Sequence, residues 1–206
     1  MTLGDAFMLP HLFGIIVSPS KEWIKIRDEE TTLGRFLLSY VLIMAAIAPI
    51  SGYIGTTTFG WEIGAREAIK LTHESALTIA IAYYMVMIAG VMIMGQAINW
   101  MGHTYGSKQS LMRCVRLSAY TVTPLFLIGF VELLPILWLN FVIGLPALAY
   151  TVKLLYTGLP IMMEVDDDHG FLFSSAILSV GMVGLVLMMV GMAILWFNGF
   201  APHFVD

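Results

Sequence analysis

Apolar residues fill this chain in long runs, and most of the charges fall in the gaps between them. A helix needs roughly 20 apolar residues to cross about 30 Å of hydrocarbon. Residues 36–55 (FLLSYVLIMAAIAPISGYIG), 75–101 (SALTIAIAYYMVMIAGVMIMGQAINWM) and 172–197 (LFSSAILSVGMVGLVLMMVGMAILWF) meet that demand. Between Arg116 and Lys153 the sole charge is Glu132. One helix over that whole stretch would be roughly 54 Å long and would overshoot the oil. Pro135 marks the break, because proline lacks a backbone donor and clashes with the preceding turn. Two more spans follow, 114–133 and 136–156, joined by a very tight turn. The pattern predicts an all-α integral membrane bundle of five transmembrane helices.

The first 35 residues do not form a span. In "SPSKEWIKIRDEE" Ser18 stands at an N-cap position and Pro19 at the first helical position, so a short helix begins there. Its expected place is flat on the membrane surface. Trp23, Ile24 and Ile26 then face lipid while Lys21, Lys25 and Arg27 reach anionic headgroups. The chain thus divides into an N-terminal segment, 1–35, with this interfacial helix, and a five-helix domain, 36–206. The opening MTLGDAFMLPHLFGIIV has no basic stretch before its apolar run, which argues against a cleaved signal peptide.

Composition strengthens the membrane reading. Hydrophobic types make up 59% of the 206 residues and charged types 12%, and mean hydropathy is +0.86. A soluble domain carries about twice that share of charge. The net charge of −4 says less than which side each charge is on. Lys21, Lys25, Arg27, Arg35, Lys108, Arg113, Arg116 and Lys153 all fall on one side of the five-span map. Only Arg66 and Lys70 fall on the other. The positive-inside bias therefore predicts a cytoplasmic N-terminus and a periplasmic C-terminus. The single cysteine, Cys114, forms no internal disulfide.

Pro19-x-x-x-Trp23, "LIMAAIAPISGYIGTTTFGWEIG" (42–64), "YTVTPLFLIGF" (120–130), "LPILWL" (134–139), "KLLYTGLPIMM" (153–163) and "FLFSSAILSVG" (171–181) occur in that order. Together they resemble the Yip (Ypt-interacting protein) family of five-span membrane proteins, most closely its bacterial inner-membrane YohC-like branch. The resemblance implies a cytoplasmic N-terminus followed by five spans and a multi-pass place in the bacterial cell inner membrane; it places no catalytic residue on this chain, and no cofactor is expected. Eukaryotic members resemble adaptors for small prenylated GTPases, a partner that does not carry over to a bacterium. Members of the bacterial branch are often labelled transporters without a defined substrate.

Candidate chemistry is sparse. Pro49, Pro124 and Pro146 lie within expected spans, where each is a static kink or, for Pro49 and Pro124, a hinge of the kind transporters use. Thr121 and Thr123 stand beside Pro124 to satisfy a freed carbonyl. Glu132 is the only acidic residue in a span: a candidate proton-relay group, or a carboxylate at a helix end reaching water beside His73 and Glu74. In "EVDDDHG" the residues Asp166, Asp167, Asp168 and His169 are weak candidate ligands for a divalent ion, or a solvated turn whose acids suit the start of the next helix. Ala48 with Gly52, Ser51 with Gly55, and Gly184 with Gly191 share helix faces that permit close approach, within the chain or in a homodimer. Gln96, Asn99 and Asn140 are expected to bond across helices. No catalytic triad, phosphate loop or nucleotide fingerprint is present, and the few basic residues fit anionic lipid better than nucleic acid. The function expected is non-enzymatic, organising membrane or binding a lipid or an unknown protein partner. The alternative is a small-solute or ion transporter built on the kinked helices.

Overall fold

The computed structural model describes residues 10–61, 68–198 and 201–205. Two short helices, α1 (Pro10–Val17) and α2 (Pro19–Asp28), meet at Ser18. Pro19 starts α2 at a position where its missing N–H costs nothing. The first long rod, Leu33–Thr58, joins α3 (Leu33–Phe36) through a π-helical turn (Leu37–Val41) to α4 (Leu42–Thr58). Helix α5 (His73–Gly102) begins where the Thr72 hydroxyl accepts from the Ser75 amide. Helix α6 (Leu111–Thr121) breaks at Val122 and continues as α7 (Thr123–Ile128) and a 3₁₀ turn (Gly129–Leu133). The chain then reverses over residues 134–136 into α8 (Leu137–Met163), and α9 (Asp167–Phe197) completes the bundle.

Among the described residues, four helices are long and apolar enough to cross a membrane, and five if the bent pair Leu111–Thr121 and Thr123–Leu133 is one span. The chain is an all-α membrane bundle. The pair bends by 43°, but Pro124 is not inside a continuous helix at the bend. It stands in the first turn of α7, where proline is tolerated, and the break itself is Val122 at φ −87°, ψ 6°. Pro49 and Pro146, by contrast, lie inside the unbroken α4 and α8.

The helices close where glycine removes a side chain. A Cβ on Gly55 of α4 would collide with the Glu132 carbonyl, and one on Gly129 would lie 2.6 Å from Ala48 Cβ. These small residues serve contact within the chain. Gly184 and Gly191 of α9 have nothing within 4 Å of an added Cβ. The loops sort to two ends. At one end, Ser107 Oγ donates to the Met163 carbonyl at 2.8 Å and Arg113 meets Glu164 at 2.8 Å. At the other, Trp61 pairs with Ile69 and Leu71 with Phe204 in isolated bridges.

The core gathers α2, the first rod, α6 and α8. Trp23, Phe36, Tyr40 and Tyr120 are its largest fully buried side chains. From Met182 to Phe197 every residue of α9 is exposed except half-buried Gly191. A helix apolar on every face is the pattern of a membrane span.

Candidate functional site

At the Glu132 end, two helices present matching stripes. Pro49, Gly52, Tyr53 and Thr56 of α4 stand at helical i, i+3, i+4, i+7 spacing, and so do Ala76, Ile79, Ala80 and Tyr83 of α5. Small residues in both stripes keep the helices from filling the space between them. Leu137 and Asn140 of α8, Met192 and Trp196 of α9, Trp61, Leu71 and Pro202 close the rest. The result is a cavity of about 370 Å³, within the range of small-molecule sites.

Glu132 projects into it from the 3₁₀ turn. Its carboxylate lies over the bare Cα of Gly52, where an added Cβ would sit 2.8 Å from Oε2. Tyr83 donates its hydroxyl to Glu132 Oε1 at 3.0 Å. The expected neighbours His73 and Glu74 are not its partners: His73 Nδ1 instead faces the Tyr53 hydroxyl at 3.1 Å. The reason is geometric. Glu74 and His73 open the first turn of α5 and are exposed, whereas Tyr83 is on the stripe that faces the cavity. Asn140 also lines the cavity, but its amide donates to the Ile136 carbonyl of its own turn rather than across helices.

A second polar cluster lies at the opposite end, and the sequence reading missed it. His11 Nδ1 is 2.6 Å from Glu22 Oε1, and Lys25 Nζ is 2.9 Å from Glu22 Oε2. Arg116 donates to Glu29 Oε2 at 2.7 Å and to the Glu29 carbonyl at 2.6 Å. Burial works to raise the Glu22 carboxyl, but the bonds from Lys25 and His11 outweigh it and hold it below the ordinary carboxylate range. These pairs fasten α1 and α2 to α6. The signal available in the sequence was Glu22 three residues before Lys25, a helical pairing distance.

This fastening corrects the expectation for the N-terminal helix. Trp23 and Ile26 do not face lipid; both are fully buried. Gly158 of α8 leaves a bare backbone against which the Trp23 indole lies, and Tyr120 meets it edge-on at 6.4 Å. Ile24 remains exposed, as does Lys21. Lys25 and Arg27 are engaged with acids, Arg27 with Asp28 at 2.7 Å.

The remaining candidates are placed as follows. Asp166, Asp167, Asp168 and His169 are all exposed at the start of α9. His169 bonds Asp166, Asp167 and Asp168 occupy the first helical turn, and no group of three ligand residues converges among the described residues. Thr123 bonds the Tyr40 hydroxyl at 2.6 Å, whereas Thr121 Oγ1 is buried with no partner among the described residues. Asn99 donates to the Gln109 carbonyl at 3.2 Å.

The Yip1 domain family matches residues 13–188. The chain is 38% identical over 192 residues to "Inner membrane protein YohC" of Escherichia coli (strain K12), a match covering 93% of this chain and 98% of that protein. The protein of the same name from Escherichia coli O6:H1 matches to the same degree. No solved structure matches.

Proposed function

This chain belongs to the Yip1-domain family, and from that premise we propose that it is a non-enzymatic, multi-pass inner-membrane protein that holds a membrane amphiphile in the cavity around Glu132. The observation that carries the reading is that cavity: about 370 Å³, mostly apolar, with a carboxylate, a phenol and an amide at fixed positions. An apolar chamber with a few placed polar groups is the ordinary form of a small-molecule site. The charge count supports placing this end at the periplasmic side and Lys21, exposed on α2, at the cytoplasmic side near anionic headgroups.

Purification in native-lipid particles, followed by mass spectrometry of what accompanies the protein, tests the proposal. A bound amphiphile should be retained by the parent and lost from Gly52→Leu, whose side chain would occupy the space under Glu132. Equal retention in a folded Gly52→Leu protein overturns it. A second reading, small-solute transport, draws support from the 43° break at Val122, since a broken span gives two segments that can rock apart. A disulfide staple across the α6–α7 break should then stop solute uptake while leaving amphiphile binding intact.

A further inference from the structure

We infer that the cavity around Glu132 selects an organic cation, an ammonium group carried on an apolar body; this rests on the reading that the cavity binds an amphiphile. The charge of the lining is one-sided. Glu132 is the only charged side chain among the described residues that line the cavity, and no Lys, Arg or His stands with it. Its described hydrogen-bond partner is a phenol, Tyr83, which supplies no positive charge. Taking a carboxylate away from water is costly unless a partner compensates it. Among the described residues such partners stand beside Glu22 and Glu29 but not beside Glu132.

The walls point to the same chemistry. Tyr53, Trp61, Tyr83 and Trp196 all line the cavity. Aromatic faces attract cations through the ring quadrupole, and they do so best for ammonium groups that shed water easily. A carboxylate set among aromatic rings rewards an ammonium twice and an apolar neutral molecule only through area. An anion would meet Glu132 with nothing to offset the repulsion. The volume admits an ammonium group with a short apolar stem, so a lipid would insert its headgroup while its chains stay outside. An ammonium-headed lipid and a free lipophilic amine share this chemistry.

The experiment uses the full chain in nanodiscs and two arms. In the first, benzyltrimethylammonium and its uncharged carbon isostere, neopentylbenzene, are titrated against tryptophan fluorescence. In the second, lipids that remain bound after extraction from discs of mixed phosphatidylethanolamine and phosphatidylglycerol are counted by mass spectrometry. Glu132→Gln keeps an oxygen acceptor for Tyr83 and removes the charge. It should weaken the cation by about tenfold, or lower phosphatidylethanolamine retention by a similar factor, and leave the isostere unchanged. Trp196→Leu should weaken the cation about two- to fivefold. Dependence on Glu132 in the first arm identifies a free amine, and in the second a lipid headgroup. If both probes of the first arm bind alike and Glu132→Gln changes neither arm, cation selection is overturned and the amphiphile cavity stands. If nothing binds in either arm, both fall.

Discussion

Replacing Trp23 by alanine separates a helix that floats on the membrane from one that is locked into the bundle. The indole is fully buried, lies on the bare backbone of Gly158 and meets Tyr120 edge-on. Its Nε1 has no hydrogen-bond partner among the described residues, so truncation forfeits packing. Emptying such a site costs about 3–5 kcal/mol. Each kcal/mol moves the melting temperature of a chain this size by roughly 2–4 °C, so a fall of at least about 6 °C is expected. Thermal ramps read by size-exclusion chromatography at fixed detergent concentration measure it. A lipid-facing tryptophan would change stability by only about 0.5 kcal/mol. The double-mutant cycle makes the contact itself the test. Gly158→Ala would force its new methyl into the indole and cost about 1–3 kcal/mol. In the Trp23→Ala background that methyl enters vacated space, so the double variant's loss should fall short of the sum of the two single losses by about 1 kcal/mol or more. Strict additivity, or a Trp23→Ala protein that melts with the parent, refutes the argument.

Arg116→Met leaves Glu29 without its guanidinium and should destabilise by about 2 kcal/mol, less than the ~3–5 kcal/mol of a fully enclosed pair because Glu29 keeps some solvent; adding Glu29→Gln should recover part of that loss in the same melt. Glu164 ends α8 in the left-handed region at φ 54°, and its half-exposed carboxylate accepts from Arg113 at 2.8 Å and from Gln109 at 3.1 Å. Glu164→Gly should therefore raise stability by about 0.5–1 kcal/mol, and a lower melting temperature would show that the ion pair outweighs the strain. For pH, the Glu22 carboxyl is held below its ordinary range in the folded chain, so its contribution is full above that range and is lost as pH falls through the lowered value. Acid melts should show the loss in the parent and a flatter profile in Glu22→Gln; identical profiles refute it.

The spans were legible because lipid leaves so few solutions. A backbone without water must satisfy itself within a helix, so each crossing needs a long apolar run, and such runs are visible. The reversal at residues 134–136 was legible for a related reason: the run beyond Arg116 was too long for one helix, and Pro135 offered the break. The bend at Val122 was not. Its neighbour Pro124 drew attention, but proline in a first helical turn is a consequence of a break rather than its cause. Trp23 was misread because Trp23 and Ile26 on one face of α2 suit either lipid or a protein surface. What decides is Gly158, which the local pattern of α2 cannot reveal. The cavity stripe on α5 was present in the sequence as Ala76, Ile79, Ala80 and Tyr83, yet in an oily span any four positions at helical spacing look alike until a facing helix selects them.

The carboxylates of this chain show why only one end of the bundle reads as a binding site. Buried Glu22 and half-buried Glu29 lie where Lys25, His11 and Arg116 converge, and their bonds hold α1 and α2 against the bundle. Such pairs answer their own cost of burial, and the result is attachment. Glu132 is positioned by Gly52 under its carboxylate, Gly55 under its backbone carbonyl and Tyr83 beside it, but its charge is left unanswered among the described residues. Setting a carboxylate over Gly52 with no cation beside it among the described residues gives no stability that a glutamine could not give. A charge arriving from outside the chain would use this arrangement, which is why the Glu132→Gln comparison, isosteric in shape and different in charge, separates a ligand site from a packing accident.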